Sequence, residues 1–450
     1  MIIKEIKARE ILSSGSTPSI EVKCILKSGT EGKASVPYGA SAGIHEAFVL
    51  LDGDKKRYAG KGMLKAVGNV NKKIAPVLIG KDASKQREID ELMIKLDGTD
   101  NKSKLGANAI LGVSMAVAKA MANEKKIPLY NYIRQTLNVN IKDYRLPNPM
   151  MVVIEGGKHA DQSTDFQEYM ISPIGNKSVK ENVRMGIEVY LKLHKVFKEL
   201  GLNTNVGSEG AFATSPHTKQ PDVTITGAFA PRVIGNNETP FDFILRAIKD
   251  AGYVVGKDIA ISLDPAVSEL FDKKKGKYIL HNEKGKELSS EELIDYFAKW
   301  VEKYPIITLE DALAEDDWEN WPKLNAKLGK NISIIGDDLT VTNVKRLQKA
   351  IDLKAINSIL IKLNQIGTLT ETVDCCMLAR KNGMMTVISH RGGGETNDTS
   401  MVDLAVAVGS GFIKVGPSRG ERVEKYNRLM EIEDELGSAA KVIGKDFRKI

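Results

Sequence analysis

The chain has 450 residues, 42% of them hydrophobic and 27% charged, with a formal net charge of +7. That length suits a barrel-sized core plus a smaller domain, and with no apolar run of membrane-spanning length, no membrane insertion is expected. The surplus lysines are scattered among Asp and Glu along helix-like segments such as 84–95 and 289–303, rather than gathered in a basic arm, so no nucleic-acid partner is expected.

The start, MIIKEIKARE, carries charges where a secretory signal needs its apolar core. Cys24, Cys375 and Cys376 are an odd number without CxxC spacing, which points to a reducing compartment and a cytoplasmic location. Residues 20–27 and 32–37 pattern as strands and 104–125 as a helix, which predicts an N-terminal α+β capping domain over 1–143. The prolines around Leu146, Asn148 and Pro149 mark the crossing into a second domain, 144–450. Residues 214–239, rich in Thr, Pro, Gly and Asn, predict an inserted loop or hairpin. At 289–303, Ser289 and Glu292 form a capping box, and Leu293, Tyr296, Phe297, Trp300 and Val301 line one apolar face before Pro305.

Six apolar runs of strand length in the second half each end on an ionisable residue. They are IAISLD ending at Asp264, PIITLE at Glu310, ISIIGD at Asp337, SILIK at Lys362, TVISH at His390 and GFIK at Lys414. Helical patterning separates most of them, so they read as parallel strands of a (β/α) barrel, whose active site lies at the carboxyl ends of the strands. Three carboxylates, two lysines and a histidine at one mouth suit a hard divalent cation and removal of a proton from carbon. An acid after a strand also caps the next helix or accepts from nearby backbone, which is the reading for Asp311 and Asp338.

Longer motifs run through the same stretches: LDGTDNKSKLGANAILGVS at 96–114, TLEDALAEDDW at 308–318, GDDLTVTN at 336–343 and IKLNQIGTLTET at 361–372. In these the chain resembles enolase, the 2-phosphoglycerate dehydratase, nearly end to end. The resemblance implies an enolase-type (β/α)8-like barrel with an α+β cap, and Mg²⁺ held by Asp264, Glu310 and Asp337. It makes Lys362 the general base, Glu209 the residue assisting departure of the hydroxyl, and Glu168 its partner. It places Lys414, Arg391, His159, His390 and Gln167 around a small phosphorylated carboxylate substrate. Ser41, in the lid-like YGASAG, would reach a second magnesium. A homodimer or higher homo-oligomer is implied as well. Burial, Lys414 and metal ions are expected to disfavour the Lys362 ammonium. One of Glu168 and Glu209 is expected to keep a proton, since two adjacent carboxylates do not both ionise cheaply.

Several short motifs depart from the family wording. NGGSHA reads EGGKHA at 155–160, GDEGG reads GSEGA at 207–211, and SHRSGET reads SHRGGGET at 389–396, one residue longer. DSRGNPT reads SSGSTPS at 13–19, so an arginine associated with the family's dimer contact is missing. Gly392 lacks the serine hydroxyl expected on phosphate, which predicts weaker substrate binding, partly offset if Lys158 reaches the same oxygens. Besides an enolase, these changes leave room for a paralogue acting on another phosphorylated or phosphono acid, or a weakly active interaction protein on the same fold.

Overall fold

The structure is a computed structural model that describes residues 1–39, 43–160, 163–213 and 236–448. Ser41 and most of the expected 214–239 insertion lie outside the described residues. At the N-terminus Ile3–Leu12, Pro18–Leu26 and Glu31–Ser35 form an antiparallel sheet in sequence order. The first of these strands was not singled out in the sequence. The helix Ala107–Glu124 packs on the second and third strands and is buried on nearly every side, which its Ala-, Val- and Met-rich composition permits.

A closed eight-stranded barrel follows. Its strands in chain order are Asn148–Glu155, Glu168–Pro173, Ile259–Asp264, Ile306–Glu310, Ser333–Gly336, Ser358–Ile361, Met385–Ser389 and Phe412–Val415. The last six are the runs read in the sequence, and they pair in parallel as expected. The second strand is different: it runs antiparallel to both neighbours, with Glu168 opposite Glu155 on one side and Asp264 on the other. Its first residue therefore reaches the mouth where the other strands end. Helix Ser290–Lys303 starts at the Ser289–Glu292 capping box and buries Leu293, Phe297 and Trp300, while Tyr296 and Val301 are only partly covered.

The N-terminal layer meets the barrel through charged pairs. Lys119 reaches Asp398 at 2.7 Å, and Arg87 grips Asp374 through two bonds of 2.7 and 2.8 Å. Thr370 donates its hydroxyl to buried Asp90 at 2.6 Å. No helix among the described residues is long and apolar enough to cross a membrane.

Candidate active site

Strand ends bring the acids together, and the turns that follow them re-aim the backbone. Ala266 (φ 47°), Asp311 (φ 40°), Val341 (φ 44°) and Thr342 (φ 56°) all adopt left-handed conformations that non-glycine residues avoid. Such residues persist only where the surroundings hold them, and here they follow the strands that deliver Asp264, Glu310 and Asp337. Asp311 accepts from the Asp337 and Asp338 N–H groups at 2.9 Å each, the backbone role read for it in the sequence.

Lys414, 2% exposed, is the centre of the acidic half. Its Nζ lies 2.7 Å from Asp264 Oδ2, 2.7 Å from Glu310 Oε1 and 2.8 Å from Glu168 Oε2. Burial works against its ammonium, but these three carboxylates hold its pKa well above the ordinary value. Burial, followed by Asp264, pushes Glu310 well up in turn, and Glu310 Oε2 is buried without a hydrogen-bond partner among the described residues.

Lys362 donates to Asp337 Oδ2 at 2.5 Å, and Gln365 donates to the other oxygen of Asp337 at 2.7 Å. With the protein's own groups alone, without the metal ions that the sequence reading counted on, the Lys362 ammonium is not disfavoured. Burial does push against it, but the charge of Asp337 outweighs burial and raises the Lys362 pKa.

On the proton-rich side, Glu209 Oε2 lies 3.0 Å from His390 Nε2, and Glu209 Oε1 lies 3.5 Å from His159 Nδ1. The same His159 nitrogen is 3.3 Å from Glu168 Oε1. Neither glutamate is raised, contrary to the sequence reading. Burial pushes Glu209 up, but His390 and His159 take it well below the carboxylate range. Burial and Glu209 push Glu168 up, and Lys414 and His159 overcome them. The proton sits instead on His159: burial lowers its pKa, but Glu209 and Glu168 lift it to about 9. Nearby Glu155 is the carboxylate that rises, to about 8, through burial and the charge of Glu209.

Arg391 is 2% exposed and donates to Glu46 Oε1 at 2.7 Å. Its backbone N–H donates to Glu395 Oε2 at 2.8 Å. A Cβ on Gly392 would lie 2.6 Å from Glu209 Oε1 and 2.9 Å from His159 Nε2. Glycine at this position makes room for those side chains. Lys158 pairs with Glu269, which engages the ammonium expected to reach phosphate.

One cavity is lined by Lys362, Glu209, Glu168, His159, Gln167, His390, Arg391, Lys414, Asp264 and Asp337. Glu310 lies beneath, 0% exposed, touching Lys414. Among the described residues, two groups have ligand atoms within 4.8 Å of one another: Asp311, Asp337 and Asp338, and His159, Glu168 and Glu209. The trio Asp264, Glu310 and Asp337 is divided instead between the two lysines. Missed in the sequence were Glu155, Glu46 and Gln365 as partners of the site residues. Glu155 did carry a signal, since MMVVIE is one more apolar strand ending on an acid.

Comparison with known families agrees with this arrangement. Residues 3–133 match the family described as Enolase, N-terminal domain, and residues 143–225 and 217–450 match Enolase, C-terminal TIM barrel domain. The chain belongs to the enolase family. Its barrel matches meet inside the stretch read as an insertion. As an enolase-family protein it is a lyase of that superfamily, and the acidic groups at its barrel mouth could hold a metal ion.

Proposed function

We propose that this protein converts 2-phosphoglycerate reversibly to phosphoenolpyruvate and water, with one Mg²⁺ held by Asp264, Glu310 and Asp337 and a second reached by Ser41 once substrate is bound. The observation that carries this reading is a pairing of opposites in one cavity: a lysine, Lys362, on one acid, and an acid, Glu209, between two histidines. An elimination needs such a pair, a base for the carbon-bound proton and a proton donor for the departing hydroxyl.

The donor set suits Mg²⁺. It offers carboxylate oxygens only, already gathered around the ammonium of Lys414, and Glu310 Oε2 is buried with no hydrogen-bond partner among the described residues. When bound, Mg²⁺ supplies positive charge to the substrate carboxylate and competes with Lys362 for Asp337. Lys362 Nζ, as the neutral amine, takes the C2 proton, and the C3–oxygen bond then breaks with its electron pair leaving on oxygen. Glu209, supplied from protonated His159, delivers a proton to that oxygen, so water departs. Arg391 orients the phosphate through its fork of donors, releasing Glu46 to do so. Lys158 pairs with Glu269, and Gly392 lies close against Glu209 and His159.

This reading brings with it a place in glycolysis and gluconeogenesis, a homo-oligomeric assembly, and a division of the chain at 1–143 and 144–450. The three buried free cysteines support a reducing, cytoplasmic setting. The test is direct: purified protein with 2-phosphoglycerate, followed by phosphoenolpyruvate absorbance, before and after chelation. Activity that needs Mg²⁺ is expected, and no product at saturating Mg²⁺ would overturn the assignment.

A further inference from the structure

The turn that carries Glu209 is wound around a second carboxylate with no part in the scheme above. Glu155 ends the first barrel strand and is 0% exposed. Its Oε1 accepts from the Ala211 N–H at 2.8 Å and from the Glu209 N–H at 3.0 Å. Its Oε2 accepts from the Ser208 hydroxyl at 3.3 Å and shares the Glu209 N–H at 3.2 Å. Three donors of one short turn thus converge on one side chain and form a nest around it. The turn closes tightly over it: Gly207 N–H donates to the Ala211 carbonyl at 2.9 Å, and a Cβ on Gly207 would fall 2.4 Å from Glu155 Oε2. From outside, Tyr190 and Ser418 each donate to the Gly210 carbonyl at 2.7 Å.

A buried acid is an unfavourable choice unless its acceptor capacity is used, and here backbone groups use it. An amide at the same place would leave one acceptor oxygen for the two N–H donors where two now stand. The two neighbouring departures in the sequence then form one unit, because Glu155 and Ser208 touch across this nest.

We propose that Glu155 is a positioning residue for Glu209, its side chain fixing the 207–211 turn so that Glu209 is presented between His159 and His390. The proposal rests on the reading above, in which Glu209 serves the departing hydroxyl. Lys362 stands on a different strand and owes nothing to this nest, so disturbing Glu155 separates the two halves of the reaction.

Glu155→Gln is expected to keep exchange of the substrate C2 hydrogen with solvent within about twofold while phosphoenolpyruvate formation falls about 10- to 100-fold, the usual cost of a small misplacement. Gly207→Ala, on a surface turn with ordinary backbone angles, is a second route to the same split if Glu155→Gln folds poorly. Glu155→Asn combined with Ser208→Asp, which moves the acid to the other side of the same contact, should recover part of the loss. Parallel loss of exchange and dehydration in both single variants, or no loss of either, would overturn the proposal. If the unmodified protein shows neither exchange nor product, the functional reading fails by itself. Positioning is then decided by amide hydrogen exchange across 205–213, which must quicken in Glu155→Gln; unchanged protection would refute it.

Discussion

The strand ends and the loops that face them hold the same cavity by opposite means. On the strand side, Lys414 and Lys362 are locked by carboxylates, and what matters at each position is the side chain present. On the loop side, several positions are defined by the side chain that is missing. A Cβ on Gly15 would lie 2.0 Å from the Gly393 carbonyl oxygen, one on Gly394 would lie 2.2 Å from the Tyr38 oxygen, and one on Gly39 would lie 2.1 Å from Arg391 Nε. Tyr38 N–H donates to the Gly394 carbonyl at 2.7 Å and Ser14 N–H to the Glu395 carbonyl at 2.8 Å, so three segments distant in sequence are stitched through their backbones. Charge pairs fix the lysines, and close backbone approach sets where Arg391 stands.

If that division is right, the strand side should answer to substitution in rate and the loop side in affinity. The largest effect is expected at Lys362. Lys362→Ala should abolish C2 hydrogen exchange and lower turnover by roughly 10²–10⁴-fold, the typical worth of a general base, while Glu209→Gln should retain exchange and lose dehydration. Equal loss of exchange in both, with substrate still bound in a calorimetric titration, would break the assignment of roles.

Asp264→Asn comes next. Removing one charge from the oxygen set should weaken Mg²⁺ binding by one to two orders of magnitude, roughly the cost of a lost charge-assisted contact, leaving the far-ultraviolet circular dichroism unchanged. Metal titration of activity reads this, and an unshifted Mg²⁺ midpoint would remove Asp264 from the ligand set.

Gly15→Ala probes the loop side from the opposite end of the chain. Its methyl group must displace Gly393, which carries Arg391 with it, so KM should rise roughly tenfold with little change in kcat, within the usual cost of overpacking. Deleting Gly393 in the same variant should restore KM if the two residues share one space. Additive defects would show that they do not.

The smallest effect lies at the seam between sheet layer and barrel. Burial pushes the Asp398 pKa up, but Lys119 and the Ser400 and Ser35 donors outweigh it and bring it to about 2. A depressed carboxylate stabilises the fold above its unfolded pKa of about 3.9, and that contribution, roughly 2 kcal/mol, is lost as pH falls toward 2. Urea midpoints across that acid range should fall in the native protein and change less in Asp398→Asn.

The strand side was largely legible. Ile259–Asp264 matches its run residue for residue, and the other five runs are offset by one residue at one or both ends, because apolar strand patterns and the residues closing them are written in side chains. The capping box at Ser289 was legible for the same reason. The reversed direction of Glu168–Pro173 was not, since a strand reads the same whichever way its neighbours run. The Lys362–Asp337 contact depends on how two separate strands align. Glu155 escaped because its partners are backbone N–H groups, which no residue letter announces. Gly392 was read only as a lost hydroxyl, and its close approach to His159 and Glu209 could not be seen in the sequence.

The reversed second strand also bears on how the chain finds this fold. Because that strand enters at the mouth, Glu155, His159 and Glu168 belong to one local hairpin whose strands are joined by residues 156–167, a closure of small entropic cost beside the long-range ones. Lys414 is on the last strand, and its bonds to Asp264 and Glu310 span 150 and 104 residues. Until that strand docks, Asp264, Glu310 and Glu168 face one another without the ammonium of Lys414 between them. Closing the ring of strands and neutralising its acidic mouth are therefore a single late event, and refolding of Lys414→Ala should stall at an open, uncapped sheet that high salt helps to close.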